Sequence, residues 1–350
     1  MFTCIYCLRN EPDVIPSEAH IFPDAMGGVR STMDTVCKEC NHRINQGFEQ
    51  EEVSKFSFFQ SIWGIRSRRG KIKGVPAAVE YEGKHFKTSL DERGVPKTPL
   101  IFLNRDKSGK KNFSIIGPAP LVDEKRKEIE AKNPSIKWEE KDLSGDSLPQ
   151  SIIEIATDLT RKSLRRLAAK VAYERWGQLR GTIVLNDGKY DNIRDFIING
   201  TESNVVCGIL SDLRLLNGML SFSVGHHGVV IIGHPRSRVL GAFVTFYSLF
   251  YYWVILATNY QAIAPIDEAL IEDPQNHKSY VPLLRSNIGN LLIHWKEIVN
   301  PFLSDQKNAA NSLMKYATAK FQKAADEGYA PRKIKHVLAQ PITGEGLEER

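Results

Sequence analysis

Residues 1–50, MFTCIYCLRNEPDVIPSEAHIFPDAMGGVRSTMDTVCKECNHRINQGFEQ, contain four of the five cysteines of the chain. The cysteines form two Cys-x-x-Cys pairs, Cys4 with Cys7 and Cys37 with Cys40. Two such pairs on short turns are typical of a tetrahedral zinc site, and in an intracellular chain they are better explained as metal ligands than as disulfides. Because thiolates would take all four positions, this zinc is predicted to be structural, with no position open for a reacting water.

The segment between the two cysteine pairs carries a histidine on a strand-like stretch. A zinc ion that closes this segment also fixes the residues inside it, because metal binding supplies folding energy that a small module lacks. Residues 15–22 are strand-like, Pro23 ends them, and Gly27-Gly28 permits a tight return. His20, held on such a strand near a carboxylate and an amide, is suited to deprotonating a water while a divalent ion binds a scissile phosphate. The alternative is a surface or packing histidine.

The composition of the whole chain is that of an ordinary globular protein. Its 350 residues are 42% apolar and 25% charged, which is enough to bury cores in two or three folded units. The net charge is +6 and the isoelectric point is about 8.9, which is compatible with a polyanionic partner but does not by itself indicate one. The start MFTCIYC has no basic segment followed by an apolar one, so we expect a cytoplasmic protein without a secretory signal.

One uncharged run, residues 239–258 with the sequence VLGAFVTFYSLFYYWVILAT, is long enough to cross a bilayer as a helix. It is rich in Val, Phe, Tyr and Trp, and it follows two strand-like stretches, 219–224 and 229–232, with His226-His227-Gly228 as the turn between them. Consecutive buried antiparallel strands explain the whole region, so we expect no membrane partner.

Apolar residues at helical spacing predict several amphipathic helices. The first spans residues 50–65, with Val53, Phe56, Phe59 and Trp63 along one face. Further helices are expected at 122–132, 151–176, 288–302 and 310–324, with a hairpin around 79–90, an internal boundary in the polar segment 133–149, and Cys207 in a buried core. The helix at 151–176 has a basic face, which is either solvated or a nucleic-acid contact, formed by Arg161, Lys162, Arg165, Arg166 and Lys170.

A basic segment follows the first of these helices directly. Its cations are Arg66, Arg68, Arg69, Lys71 and Lys73. Such a run is either a solvated linker or a contact to nucleic-acid phosphates. Its position behind the cysteine-rich segment favours phosphate contact, so these five side chains are candidate nucleic-acid-binding residues.

The order of residues between positions 4 and 50 resembles one known family. Cys-x-x-Cys, then Ser-x-x-His-Ile-x-Pro, then Gly-Gly, then Cys-x-x-Cys-Asn is similar to the HNH endonucleases, in particular to their zinc-stabilised branch with paired cysteine knuckles. The resemblance implies a ββα-metal fold, in which two strands, a loop and a helix surround one catalytic divalent ion. It also implies cleavage of DNA by phosphodiester hydrolysis.

The resemblance assigns roles to individual residues. His20 matches the general base of the family, and Asn41, directly after the last cysteine, matches its final metal ligand. The family usually has Asp or Glu directly before the histidine, where this chain has Ala19, and the nearest acid is Glu18. Positions 18 and 20 share one face of a strand, so Glu18 either binds the ion, orients His20, or does neither.

Other positions of the module have open roles. The intermediate asparagine of the family signature falls near Thr32, and Asp34 is a candidate to replace it. His42, Asn45 and Glu49 are further candidate ligands if the helix starts near residue 41, because positions 41, 45 and 49 share one helical face. Otherwise they form a polar helix surface.

These observations predict an α+β fold. An N-terminal ββα-metal HNH module with a structural zinc is followed by a mixed domain that contains a mostly antiparallel sheet and amphipathic helices. The expected limits are 1–65 for the nuclease module, 66–145 for a basic linker and small α/β region, 146–335 for an α+β C-terminal domain, and 336–350 for a flexible tail.

The leading hypothesis is a metal-dependent HNH endonuclease that hydrolyses DNA, acting for example in restriction or in defence against mobile DNA. The expected metals are a structural Zn²⁺ and a catalytic Mg²⁺ or Mn²⁺, and the candidate catalytic residues are His20, Glu18 and Asn41. The alternatives are a catalytically inactive zinc-ribbon adaptor that binds DNA, and an HNH nuclease that cleaves RNA. Besides DNA, an activating or regulatory partner and a second copy of the chain are expected partners.

Overall fold

A long buried helix and a six-stranded antiparallel sheet support the cysteine-rich N-terminal region in this protein. The computed structural model describes residues 2–65, 75–81, 84–90, 97, 99–105, 111–116, 119–132, 151–152, 158–181, 187–201, 207–210, 222–234, 236–261, 266–282 and 306–327. The predicted α+β class, with an antiparallel sheet and amphipathic helices after the N-terminal module, is confirmed. The helix predicted at 288–302, the boundary segment 133–149 and the tail 336–350 lie outside these residues.

The N-terminal elements are short, and the longest helices and strands come later in the chain. The strands are β1 Pro16–His20, β2 Ser31–Cys37, β3 Val75–Tyr81, β4 Lys84–Leu90, β5 Leu100–Arg105, β6 Lys111–Ile116, β7 Ser151–Ile152, β8 Cys207–Ile209, β9 His227–Gly233, β10 Val239–Phe246, β11 Phe250–Thr258, β12 Ile266–Asp273 and β13 Lys278–Tyr280. The helices are α1 Lys38–Ile44, α2 Gln50–Lys55, α3 Ser57–Ile62, α4 Ala119–Lys132, α5 Lys162–Arg180, α6 Asp191–Asn199 and α7 Gln306–Asp326. A π-helical turn, Asn45–Glu49, joins α1 to α2.

The N-terminal region has the order strand, strand, helix. Strands β1 and β2 pair antiparallel, with His20 opposite Ser31, and a bulge interrupts the ladder between Ser17 and Ala19. Helix α1 begins at Lys38, where the Cys37 side chain caps it by accepting a hydrogen bond from the Cys40 amide. The helix predicted at 50–65 is present as two short helices, α2 and α3. The predicted ββα arrangement is therefore present between residues 16 and 44.

The apolar run at 239–258 forms two antiparallel strands and not a membrane-spanning helix. Strands β10 and β11 pair from Val239 opposite Thr258 to Phe246 opposite Phe250. They lie in a sheet with the order β13-β12-β9-β10-β11-β8. Consecutive residues along both strands are buried, so both faces of this part of the sheet are covered, which explains the nearly continuous apolar sequence. No helix in the described part of the chain is long and apolar enough to cross a membrane.

The other predicted elements are found with shifted limits. The hairpin expected around 79–90 is the β3–β4 pair, and the helices expected at 122–132 and 310–324 lie within α4 and α7. Cys207 is buried in β8, as predicted. The helix predicted from residue 151 starts only at Lys162, because Ser151 and Ile152 pair with β3 and the Asp158 carboxylate stabilises a turn through the amide and hydroxyl of Thr160.

Helix α5 is more deeply buried than its sequence suggests. Its apolar stripe, including Leu164, Leu167 and Val171, is fully buried as expected. Apart from the exposed Lys162, the residues of the basic face are partly or fully buried. The Arg161 guanidinium pairs with the buried Glu52, the Arg166 guanidinium donates to the carbonyl oxygens of α6, and Lys170 is only 2% exposed. The hypothesis that this face contacts nucleic acid is therefore wrong at Lys170, which lies inside the protein.

The loop between β1 and β2 is held by the six-stranded sheet. The Glu272 carboxylate on β12 accepts hydrogen bonds from the amides of Val29, at 2.8 Å, and Arg30, at 3.1 Å. Gly27 has a φ of +88°, and a Cβ there would lie 2.5 Å from the Cβ of Pro274. The predicted tight return at Gly27-Gly28 is thus confirmed, and this glycine also lets the loop approach the sheet closely.

His227 holds the same loop from β9. The sequence suggested a turn at this residue, but His227 is the first residue of β9 and is fully buried. The Tyr247 amide donates to Nδ1 of His227, so the proton of the neutral ring is on Nε2, which donates to the Met26 carbonyl oxygen at 3.1 Å. The Phe22 ring stacks on the imidazole with centroids 4.8 Å apart. Both loop ends, near His20 and near β2, are therefore fixed by the C-terminal sheet.

Burial shifts the pKa values of these two side chains in opposite directions. Burial lowers the pKa of His227 to about 4, and it raises the pKa of Glu272 to about 7. The stability that neutral His227 contributes is lost as the pH falls from the unfolded value near 6.5 towards 4. The burial of Glu272 destabilises the fold as the pH rises from about 4.5 to 7, where its carboxyl must ionise.

We expect His227→Gln to make the protein less sensitive to acid. Glutamine can still donate to the Met26 carbonyl but does not titrate. Between pH 7 and pH 5 the wild type should lose about 2 kcal/mol more of its free energy of unfolding than the variant does. Urea denaturation at both pH values measures this difference. Equal losses in the two proteins would contradict a buried neutral imidazole at this position.

Candidate functional site

The four predicted cysteine ligands converge on one point. The sulfur atoms of Cys4, Cys7, Cys37 and Cys40 all lie within 4.8 Å of one another. The Sγ atoms of Cys7 and Cys37 are 3.8 Å apart. A tetrahedral zinc with Zn–S bonds of about 2.3 Å places its sulfur ligands about 3.8 Å apart, so the four cysteines are close enough to hold zinc.

Backbone amides support the sulfur atoms of this cluster. The Cys37 amide points at Cys4 Sγ over 3.4 Å, and the Cys40 amide points at Cys37 Sγ over 3.5 Å. A hydrogen bond with the Cys40 side chain lowers the pKa of Cys4 to about 5. Burial raises the pKa of Cys37 to about 11. Four sulfur atoms this close together can bind as thiolates when a cation balances their charge.

His20 is the last residue of β1 and is half-buried. It lies directly opposite Ser31 in the β1–β2 ladder, so these two side chains project to one face of the hairpin. The His20 carbonyl oxygen accepts a hydrogen bond from Nζ of Lys170 at 2.8 Å. The strand end that carries the imidazole is thus held from the protein interior.

Glu18 lies on the same side of the hairpin as His20. Its carboxylate accepts a hydrogen bond from Ser31 Oγ at 2.8 Å, and Ser31 is the ladder partner of His20. Glu18 is exposed, whereas Ala19 is buried against the core. Ala19, which stands where the HNH endonucleases usually have an acid, therefore points inward. Glu18, the adjacent acid, reaches the surface.

Asn41, in α1, is tied to β1 through its side-chain amide. Nδ2 donates to Ser17 Oγ and to the Glu18 carbonyl oxygen, both at 3.0 Å. Because a carbonyl oxygen only accepts, the NH₂ group must face β1, and Oδ1 is the atom left to bind a cation. The structure thus brings Asn41 beside residues 17 and 18, two positions from His20.

The remaining polar residues of this helix have different surroundings. His42 and Asn45 are exposed, as a polar helix surface would be. Glu49 instead pairs with Nζ of Lys170 at 2.9 Å, on the interior side of the module. Of these candidate ligands, Glu49 is therefore already engaged by a buried cation.

Thr32 and Asp34 lie in the irregular part of β2. The Thr32 hydroxyl donates to the Asp34 carboxylate, and the Asp34 amide lies 3.4 Å from the same hydroxyl oxygen. This local pairing stabilises the segment where the β1–β2 register shifts. Asp34, the candidate to replace the missing asparagine, therefore bonds to Thr32, the position where that asparagine would fall.

An open groove of about 660 Å³ lies on the Asn41 side of the module. It runs between the segment before β1 and helix α1, and its lining includes Ser17, Lys38, Asn41, His42 and Asn45. Oxygen and nitrogen donors of these side chains are compatible with a polar ligand. The candidate phosphate contacts Arg66, Arg68, Arg69, Lys71 and Lys73 lie outside the described residues.

The sequence reasoning missed a buried network on α5 that supports the module. Nζ of Lys170 reaches the His20 carbonyl oxygen, Glu49 and Glu174. The Tyr6 hydroxyl, between the first two cysteines, donates to Glu174 at 2.9 Å. The charged residues Lys170 and Glu174 are four positions apart on one helix, a spacing that equally fits an exposed pair, so only their burial reveals the role.

Residues 4–57 match the family model of the HNH endonucleases. The matched segment contains both cysteine pairs, His20 and Asn41, so the resemblance predicted from the sequence is confirmed. No curated protein and no solved structure matches the chain. The N-terminal region therefore matches an HNH endonuclease domain and contains a cysteine cluster that can hold zinc, and a domain of this family suggests nuclease activity.

We expect Cys37→Ser to abolish zinc binding. A serine hydroxyl replaces the thiolate that also caps α1, so the variant should contain less than a tenth of the metal of the wild type and should melt at a lower temperature. Atomic absorption on the purified proteins and thermal melts measure both effects. Cys207→Ala is the control, because Cys207 is buried outside the cluster. One bound zinc per chain in Cys37→Ser would contradict the assigned site.

Proposed function

We propose that this protein is a metal-dependent endonuclease that hydrolyses phosphodiester bonds in DNA. The observation that carries the proposal is the pairing of Asn41 with the strand that bears His20. Its amide NH₂ is bound by Ser17 and by the Glu18 carbonyl oxygen, which leaves the amide oxygen for a cation close to the histidine strand. The match of residues 4–57 to the HNH endonucleases supports the same assignment.

In this proposal His20 is the general base. Its imidazole is half-buried at the end of β1, where it can accept a proton from a water molecule. The cluster of four cysteines does not take part in the hydrolysis, because a zinc with four thiolate ligands has no position for water. Its role is to hold the two Cys-x-x-Cys pairs together, so that β1 and α1 keep their relative positions.

Asn41 and Glu18 would hold the catalytic divalent ion. Within the described residues, the cysteines are the one group of three or more His, Cys, Asp or Glu side chains whose ligand atoms converge. The catalytic ion would therefore have few protein ligands, as is usual for Mg²⁺ and Mn²⁺, which keep waters and bind substrate phosphates. When bound, such an ion stabilises the negative charge that develops on the phosphate and on the leaving oxygen.

A second candidate function is a DNA-binding adaptor without catalysis. Ala19 favours it, because the usual acidic ligand position is occupied by a buried alanine. Glu18 favours the enzyme, because its carboxylate reaches the same face of the hairpin as His20. A nuclease that acts on RNA uses the same chemistry, and parallel assays with plasmid DNA and single-stranded RNA distinguish the two substrates.

We expect His20→Ala to abolish cleavage of supercoiled plasmid in Mg²⁺ or Mn²⁺. Loss of the general base should lower the nicking rate by at least 100-fold, the usual contribution of such a group. His42→Ala is the matched control, because His42 is an exposed histidine on α1 of the same module. Gel assays of nicked and linear products measure the rates. Equal rates for His20→Ala and the wild type would remove the role assigned to His20, and wild-type protein without metal-dependent cleavage would favour the adaptor.

We expect Glu18→Gln to weaken binding of the catalytic ion. The variant keeps a group that can bond to Ser31 but lacks the negative charge. The Mn²⁺ concentration for half-maximal nicking should rise roughly tenfold, because a carboxylate binds a hard cation more tightly than an amide does. Metal titrations at saturating DNA measure this concentration. An unchanged metal requirement would mean that Glu18 is not a ligand.

A further inference from the structure

We infer that Lys170 is a positioning residue that sets the orientation of His20, an inference that rests on the proposed nuclease function. Lys170 lies in α5, 150 positions from His20 in the sequence and outside the segment that matches the HNH endonucleases. Its Nζ lies 2.8 Å from the carbonyl oxygen of His20. The C-terminal part of the chain thus contributes directly to the geometry of the catalytic strand.

The contact fixes the backbone of His20 rather than its side chain. The peptide unit that joins His20 to Ile21 is planar, so its carbonyl and amide move together. Lys170 holds the carbonyl end, and the amide of Ile21 donates to the Arg30 carbonyl oxygen at 3.0 Å. With both ends of this rigid unit held, and with the β1–β2 ladder before it, the imidazole retains only its side-chain torsions.

The same ammonium joins the strand to the helix that carries the metal-ligand candidate. Besides the His20 carbonyl, Nζ contacts Glu49 at 2.9 Å and Glu174 at 3.3 Å. Glu49 ends the π turn that directly continues α1, the helix of Asn41. The ammonium thus makes a hydrogen bond to β1 and ion pairs to the π turn and to α5. Strand and helix are therefore held at one common point.

The charge state of Lys170 suits this role. Burial alone would lower the pKa of Lys170, but the carboxylates of Glu174 and Glu49 outweigh burial and raise it. A protonated amine buried at 2% exposure is costly to move, because any displacement removes a charge-assisted hydrogen bond in a site without solvent. The His20 carbonyl oxygen is therefore held firmly in place.

The test compares Lys170→Met/Glu174→Gln with Glu174→Gln. Methionine keeps the length of lysine without its donors, and the second substitution removes the buried carboxylate that would otherwise lose its cation. At saturating DNA and Mn²⁺, kcat for plasmid nicking should fall roughly 10- to 100-fold relative to Glu174→Gln, with KM within about twofold, because a small displacement of a reacting group costs that much. Bound zinc should remain at the level of the wild type.

A spectroscopic measurement reports on His20 directly. In protein labelled with ¹⁵N-histidine, the ring signal that disappears in His20→Ala belongs to His20. That signal should shift or broaden in Lys170→Met/Glu174→Gln relative to Glu174→Gln. Lys55→Met is the matched control, because Lys55 also pairs with a buried glutamate, Glu52, at 2.9 Å, and Glu52 keeps Arg161 and Ser163 as partners.

Lys170→Arg keeps a cation beside both carboxylates and therefore serves if the double variant does not fold. Its larger planar head cannot reproduce a single-point contact, so kcat should again fall and the His20 signal should move. An unchanged kcat together with an unchanged His20 signal in a folded Lys170 variant would overturn the inference while leaving the nuclease function intact. If the wild type does not cleave nucleic acid, the proposed function fails, and the His20 signal alone decides whether Lys170 positions this residue.

Discussion

A buried ammonium group must be surrounded by acceptors, and this requirement organises the contact between the two parts of the protein. Lys170 has a side chain that is only 2% exposed, so its charge is stable there only if three acceptors stay within hydrogen-bond distance. Those acceptors come from β1, from the turn after α1, and from α5 itself. Loss of β1 would remove the hydrogen-bond acceptor of the ammonium, and loss of the turn after α1 would remove one of its two carboxylates. The β1–β2 hairpin, α1 and α5 therefore depend on one another.

The loop that follows His20 obeys a second constraint of the same kind. Its amides at Val29 and Arg30 are satisfied by the Glu272 carboxylate, and its carbonyl at Met26 by His227. Both side chains belong to neighbouring strands of the six-stranded sheet, where Glu272 and His227 face each other in the β9–β12 pairing. The six-stranded sheet therefore holds the backbone of this loop through buried polar side chains, just as α5 holds the backbone of β1 through Lys170. Both groups are buried and titrate with opposite sign, so the attachment is sensitive to pH from either direction.

The sequence predicts well those features that depend on local spacing. Two Cys-x-x-Cys pairs identify the metal cluster, and a long aromatic and β-branched run identifies β10 and β11. It fails where burial decides the role of a charge. Lys170 and Glu174 have the spacing of an exposed ion pair, and His227 stands next to a glycine in a segment that resembles a turn. Lys170 and His227 bond to backbone carbonyl oxygens, and Glu174 accepts from the Tyr6 hydroxyl. All three partners are more than 100 positions away, and no local pattern encodes such contacts.

Glu18 reaches the surface of the candidate site, whereas its neighbour Ala19 is buried. Regular alternation along β1 packs Ala19 into the core and leaves Glu18 at the surface, where its carboxylate accepts a hydrogen bond from Ser31. The Glu18 carbonyl oxygen meanwhile fixes the amide of Asn41. One residue thus contributes its backbone to orient a ligand candidate and its side chain to the face that bears His20.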